Sequence, residues 1–246
     1  MKILIDPGHG GKDSGAVGNG YAEKDIVLEA ALYIGGRLQC LGAEVRYTRT
    51  GDTNPGEPQD RGKLAEGCDY FLSLHCNGSK NPAAHGSECW CNAGEGFAYT
   101  ESRFAEELGR FFSWRGVKSK NYTTEEEISR PYDSRRRFTE RYSCTDWYGV
   151  LRGCESVGVS GDLLEMFFIS CKEDVECYLL HKREIWEAIV RAVCESYGVA
   201  YAGPVLQPPA AAGETVPKAQ YEALAGKVKA LAGEMEALAE KVKMIV

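Results

Sequence analysis

Four side chains in this 246-residue chain have the types and placement that chemistry on a bound metal would need: His9, Glu23, His75 and Glu165. His9 stands in "DPGHGGKDSG", directly after the apolar run "KILID" (2–6), and Glu23 follows the same glycine-rich stretch at the start of a helical pattern. His75 closes "DYFLSLH" (69–75), and Glu165 interrupts the otherwise apolar "DLLEMFF" (162–168). Two imidazoles and a carboxylate form the ligand set of a catalytic zinc, which takes three protein ligands and keeps a fourth position for water. Glu165 is different in kind, because a carboxylate inside an apolar strand bears a desolvation cost and is seldom kept without a partner or a task. Singly, each has an ordinary explanation: a loop histidine, a satisfied core histidine, an acidic residue favoured by a helix N-terminus. Together they lie where an open α/β sheet forms its ligand crevice, beyond the carboxyl ends of strands.

Other chemistries fit the motifs less well. A phosphate-binding loop would need glycine at position 6 and Ser or Thr at 13, and both positions hold aspartate. "CWC" at 89–91 has one intervening residue and no second pair, which disfavours a structural zinc knuckle. His85 and His181 lack the strand-end placement and are read as surface or core residues.

Placing four such groups together requires alternating strands and helices. Besides residues 2–6, strands are expected at 44–49, 69–75, 87–91 and 162–168, and helices at 24–41, 61–66, 98–115 and 172–197. Gly42 stands where the first helix would end. The pattern predicts an α/β fold: a mixed, mostly parallel sheet flanked by helices, with a C-terminal coiled-coil helix. Residues 116–160 show no sustained period and read as an inserted surface excursion.

The domain plan is a catalytic domain at 1–199, a Pro/Ala-rich linker at 200–217 and a coiled-coil helix at 218–246. In the tail, Tyr221, Leu224, Val228, Leu231, Met235, Leu238, Val242 and Ile245 alternate spacings of three and four, through the tandem heptads "ALAGKVK", "ALAGEME" and "ALAEKVK". A lone helix of that length is marginal in water, and Gly226 and Gly233 each cost about 1 kcal/mol against alanine. Self-association into a homo-oligomer is therefore expected.

A net charge of -7 and a sequence pI near 5.3 argue against a nucleic-acid partner. No segment is long and apolar enough for membrane insertion. The N-terminus has no charged region leading into an apolar stretch, so synthesis in the cytoplasm without a signal peptide is expected. The ten cysteines form no repeated framework, and Cys40, Cys68, Cys76 and most others read as reduced, buried small hydrophobes.

The succession "IDPGHGGKDSGAVG", "AEKD", "YTRTGD", "DRGKLAEGCDYFLSLHCN" and "DLLEMFFIS" resembles the ordered motifs of the zinc-dependent N-acetylmuramoyl-L-alanine amidases, the amidase 3 family, over residues 1 to 197. The resemblance implies that His9, Glu23 and His75 bind Zn2+ and that Glu165 is catalytic. It implies hydrolysis of the peptidoglycan amide between N-acetylmuramic acid and L-alanine, with a zinc-activated water attacking and Glu165 acting as base, then acid. The alternatives are a zinc peptidase cutting another bond of the stem peptide, and a non-catalytic wall-binding module. With no leader, a phage or prophage endolysin that reaches the wall after release is the expected setting. Met166 and Phe167 replace the small or glycine-containing stretch usual after the catalytic glutamate, so altered strand geometry is expected there. Residues 119–144 are extra, and Arg130, Arg135, Arg136, Arg137 and Arg141 with Tyr132, Phe138 and Tyr142 suit either a solvated lid or contacts to anionic peptide and sugar. Arg61 matches a family arginine and is given no catalytic role.

Overall fold

The strand pattern is realised in two core layers, one on each face of a single six-stranded sheet. The computed structural model describes residues 1–92, 99–118 and 146–203, all within one compact unit, Met1–Val205. The 119–144 insert, most of the 200–217 linker and the 218–246 helix lie outside the described residues.

The elements run β1 (Lys2–Pro7), β2 (Val17–Gly18), β3 (Tyr21–Ala22), α1 (Glu23–Cys40), β4 (Glu44–Tyr47), α2 (Pro58–Lys63), β5 (Tyr70–Asn77), β6 (Ser87–Cys91), α3 (Tyr99–Leu108), β7 (Trp114–Lys118), α4 (Gly149–Ser156), β8 (Gly161–Phe168) and α5 (Lys172–Ser196). The main sheet has the order β4-β1-β5-β8-β6-β7, while β2 and β3 form a separate small hairpin. Pairing is parallel throughout the main sheet except between β8 and β6. This is the expected mixed, mostly parallel sheet flanked by helices.

Period-2 alternation divides the strand residues between the layers. Ile3, Ile5, Leu72, Leu74 and Leu164 pack with apolar residues of α1, α3 and α5. Leu4, Phe71 and Leu163 face the other way, onto Val150, Leu151 and Cys154 of α4. Both faces being covered explains why these strands read as continuous apolar runs.

β8 departs from strict alternation just after Glu165. Glu165 pairs with His75, yet the next pairing is Phe168 with Asn77, so β8 takes three steps where β5 takes two. Such a bulge re-aims side chains. It lets the consecutive, fully buried Met166 and Phe167 enter the same core cluster, which an unbroken strand would forbid. The bulky pair after the glutamate thus coincides with an altered strand.

Several boundaries differ from expectation. The helix expected over 98–115 ends at Leu108, where the chain turns through Gly109 and re-enters the sheet as β7. The 116–160 stretch is not wholly an excursion, since it contains the end of β7, all of α4 and the buried Val159. α5 is broken at His181, whose backbone is non-helical (φ -119°, ψ 19°). Cys40 is exposed and Cys68 only half-buried, contrary to the reading of both as core, whereas Cys76 is buried. Cys40 lies in the last turn of α1, beyond Leu38, the helix's last buried residue.

Candidate metal centre and active site

β1 ends at Pro7, and the chain turns at His9 into the left-handed region (φ 59°), a conformation uncommon for a residue other than glycine. The loop then closes on itself, with Gly10 N–H donating to the Asp13 carbonyl (2.9 Å) and Asp13 N–H to the Gly10 carbonyl (3.2 Å). This closure sets the Asp13 carboxylate beside the His9 ring, where Oδ2 lies 2.8 Å from Nδ1. A carboxylate only accepts, so Nδ1 carries the proton and Nε2 is left for another partner. Nε2 lies 3.2 Å from Glu23 Oε1.

Glu23 is the first residue of α1 and is buried, 3% exposed. Its Oε2 accepts from Ala16 N–H (2.8 Å), and its Oε1 accepts from Cys76 N–H (2.9 Å) and lies 2.8 Å from His75 Nδ1. Burial opposes its charge, but the two imidazoles outweigh burial and hold the carboxyl well below the usual range. For His9, burial works against the cation while Glu23 and Asp13 raise its proton affinity above the ordinary imidazole value. Ligand atoms of His9, Glu23 and His75 all lie within 4.8 Å of one another. The donor set fits a zinc ion: two imidazole nitrogens and a carboxylate converge, and Asp13 fixes the tautomer of one histidine as second-layer carboxylates do at zinc sites.

The glycines of the loop have a steric reason. A Cβ on Gly8 would lie 2.8 Å from His75 Nδ1 and closer still to other ring atoms, and one on Gly15 would lie 2.5 Å from Glu23 Oε2 and 2.6 Å from His9 Cδ2. Backbone must pass this close for the three side chains to meet.

Glu165 shares a cavity of about 450 Å3 with the three candidate ligands, walled also by Pro58, Arg61, Asn77, Trp147, Tyr148 and Val150 among others. In the sheet Glu165 lies beside His75 on β5 and opposite Glu88 on β6. It is 9% exposed. The structure therefore brings all four predicted residues to one cavity.

Sequence reasoning missed the supports. Asp13 carried no strand-end signal. Arg49, 4% exposed, donates to the carbonyls of Pro7 (3.0 Å), Gly8 (2.8 Å), Lys24 (2.8 Å) and Gly51 (3.0 Å), clamping the His9 loop to the first turn of α1. Arg61 is tied to the buried Asp6 through Nε (3.0 Å) and Nη2 (2.5 Å), and Asp6 also accepts from Thr48 (2.6 Å) and Ser73 (2.7 Å). Glu88 accepts from Asn77 (2.9 Å) and Arg115 (3.1 Å). On the other face of the sheet Cys91, Glu101 and Asp162 form a second buried group, in which Tyr70 donates to Asp162 (2.7 Å). Asp162 precedes Glu165 by three residues along β8, so alternation turns the two carboxylates apart.

The family model described as N-acetylmuramoyl-L-alanine amidase matches residues 3–196. The chain belongs to that family. The N-acetylmuramoyl-L-alanine amidase AmiA of Salmonella typhimurium is 38% identical over 108 residues, covering 43% of this chain and 37% of the relative. The germination-specific N-acetylmuramoyl-L-alanine amidase of Bacillus subtilis is 27% identical over 206 residues, covering 78% of this chain and 76% of that one. Among solved structures, the amidase AmiC2 of Nostoc punctiforme shares the fold, with a TM-score of 0.60 at 24% identity over 80% of this chain and 97% of that chain. The chain thus spans little more than a third of the length of AmiA. Within this amidase family fold, no helix among the described residues is long and apolar enough to cross a membrane.

Proposed function

We propose that the chain is a zinc-dependent peptidoglycan amidase that hydrolyses the amide between N-acetylmuramic acid and L-alanine. The observation that carries this reading is the convergence of His9, Glu23 and His75 within 4.8 Å, in one cavity with Glu165, in a chain of the amidase family.

His9 through Nε2, His75 through a ring nitrogen and Glu23 through its carboxylate would hold the ion. Zinc bound there supplies Lewis-acid chemistry, polarising an amide carbonyl and acidifying a water. Asp13 keeps the proton of His9 on Nδ1, so that Nε2 presents its lone pair. Cys76 and Ala16 N–H groups hold both oxygens of Glu23, limiting its rotation. Glu165 takes the proton of the attacking water and returns it to the leaving amine of L-alanine, the base-then-acid duty of a single carboxylate. Its place beside His75 on the neighbouring strand fixes it next to the ligand set.

Digestion of purified peptidoglycan followed by mass spectrometry of the new termini tests the reading. Free lactyl carboxylates paired with free L-alanine amines are expected. Cuts within the stem peptide would instead make the protein a zinc peptidase, and no cuts would leave it a wall-binding module.

For the tail, the heptads at 218–246 support self-association beyond the Pro/Ala-rich 200–217 linker. Tethered copies would engage a repetitive wall polymer with greater avidity without any new contact.

A further inference from the structure

The cavity wall formed by α2 and α4 carries a feature that hydrolysis alone does not require. The two helices meet backbone to backbone: a Cβ on Gly62 would overlap the Val150 carbonyl, and one on Gly153 would overlap the carbonyl of Gln59. This contact fixes the start of α4 against α2. The segment leading into α4 is anchored as well. Asp146 is buried and accepts from Asn92 (2.9 Å), and Arg152 Nη1 donates to the carbonyls of Asp146 (2.8 Å) and Trp147 (2.7 Å). The next residue, Tyr148, sets its ring edge-on to Trp90 at 5.2 Å between centroids.

On this held backbone Trp147, 39% exposed as a residue, lines the cavity that contains His9, Glu23, His75 and Glu165. The contrast with Trp90 and Trp186, 7% and 3% exposed, is physical: indole is a large apolar surface that folding ordinarily covers. A partly exposed tryptophan on an anchored backbone beside a reactive centre suits a ligand that also has a flat apolar face. A pyranose with equatorial substituents is such a ligand, because its axial C–H bonds form an apolar face that meets the electron-rich face of an indole. The stem peptide presents no comparable rigid ring.

We infer that Trp147 is the saccharide platform of this site, stacking the sugar ring that bears the lactyl group and so orienting the scissile amide toward Glu165. The inference rests on the amidase reading for the identity of the sugar. Trp147 touches the substrate away from the reacting atoms and acts through binding.

The test titrates the full-length protein with the peptide-free disaccharide N-acetylglucosaminyl-N-acetylmuramic acid, with free stem tetrapeptide, and with lactate as a control for the carboxylate. Indole N–H signals in nuclear magnetic resonance spectra report binding. Saturable disaccharide binding is expected in the wild type, with Trp147→Ala weakening it about tenfold and Trp147→Phe recovering part of the loss. Tetrapeptide and lactate binding, zinc content and Tm should stay the same in both variants. An absence of saturable disaccharide binding in the wild type would overturn the inference. Equal weakening of disaccharide and tetrapeptide, or loss of tetrapeptide binding alone, would do so too. Because no turnover is measured, Trp147-dependent disaccharide binding in a chain that cuts no peptidoglycan would sink the amidase reading and leave the saccharide platform standing without its orienting role.

Discussion

Replacing Arg49 with methionine should loosen the metal centre without touching a ligand. The guanidinium bonds four carbonyls, two of them, Pro7 and Gly8, on the approach to His9 and one, Lys24, just after Glu23. Methionine keeps apolar length and removes every donor. The bonds to Pro7 and Gly8 are buried, whereas those to Lys24 and Gly51 are part-buried and open to replacement by water. Two buried acceptors left without this donor cost about 1–3 kcal/mol each. Removing a guanidinium whose burial already holds its pKa below the usual value returns part of that cost. The net loss is roughly 3 kcal/mol, which for a unit of this size lowers Tm by roughly 6–12 °C. Because the clamp orients the segments that carry two of three ligands, zinc affinity should fall by about 10–100-fold, the usual effect of removing an outer partner. Circular dichroism melting of the metal-free protein and competition with a chromophoric chelator measure the two effects. Arg49→Lys should recover only part of each, since an ammonium cannot span the fork of acceptors. A methionine variant with native Tm and native zinc affinity would refute the clamp.

Gly8→Ala should displace the His75 ring and weaken zinc binding by at least about tenfold, as the added Cβ would lie 2.8 Å from Nδ1; full zinc occupancy under the same chelator challenge would count against the packing argument. Asp6 gives a pH dependence: burial opposes its charge, but Arg61, Thr48 and Ser73 outweigh burial and hold its carboxyl below the ordinary value of 3.8. Its stabilisation is present above the unfolded pKa and is lost as pH falls through the lower folded value. Urea midpoints should therefore drop on acidification below about pH 4, with Asp6→Asn weaker at neutral pH and less sensitive to acid; an identical acid slope in both would remove Asp6 from the account. Light scattering should find the full chain oligomeric and a truncation near Gly203 monomeric, with the truncated form losing more activity on intact walls than on soluble fragments. A monomeric full chain at micromolar concentration would end the coiled-coil proposal.

The convergence of the candidate ligands was legible because topology leaves little choice for it. His9 and His75 follow or close apolar runs that had to be neighbouring strands, and Glu23 opens the helix that follows the first loop. Glu165 announced itself as a charge in an apolar strand. The supports were not legible because they depend on register and on loop closure. Asp13 reaches His9 only through the Gly10–Asp13 bridge, and Glu88 comes opposite Glu165 only because β6 runs antiparallel to β8. α4 was hidden by its own composition: "GVLRGCES" is short and has two glycines, which lower helix propensity yet permit the backbone contact with α2. Likewise Phe111, Phe112 and Trp114 continue an apolar pattern past Gly109, so the start of β7 read as more helix.

The rate at which zinc-loaded Glu165→Gln cleaves the muramoyl–L-alanine amide bears most directly on the account. Glutamine keeps the size and strand position of Glu165 but cannot take a proton, so the variant should hold zinc as the wild type does and lose about 10²–10⁴-fold in rate. Near-native turnover at that bond, with zinc in place, would contradict it.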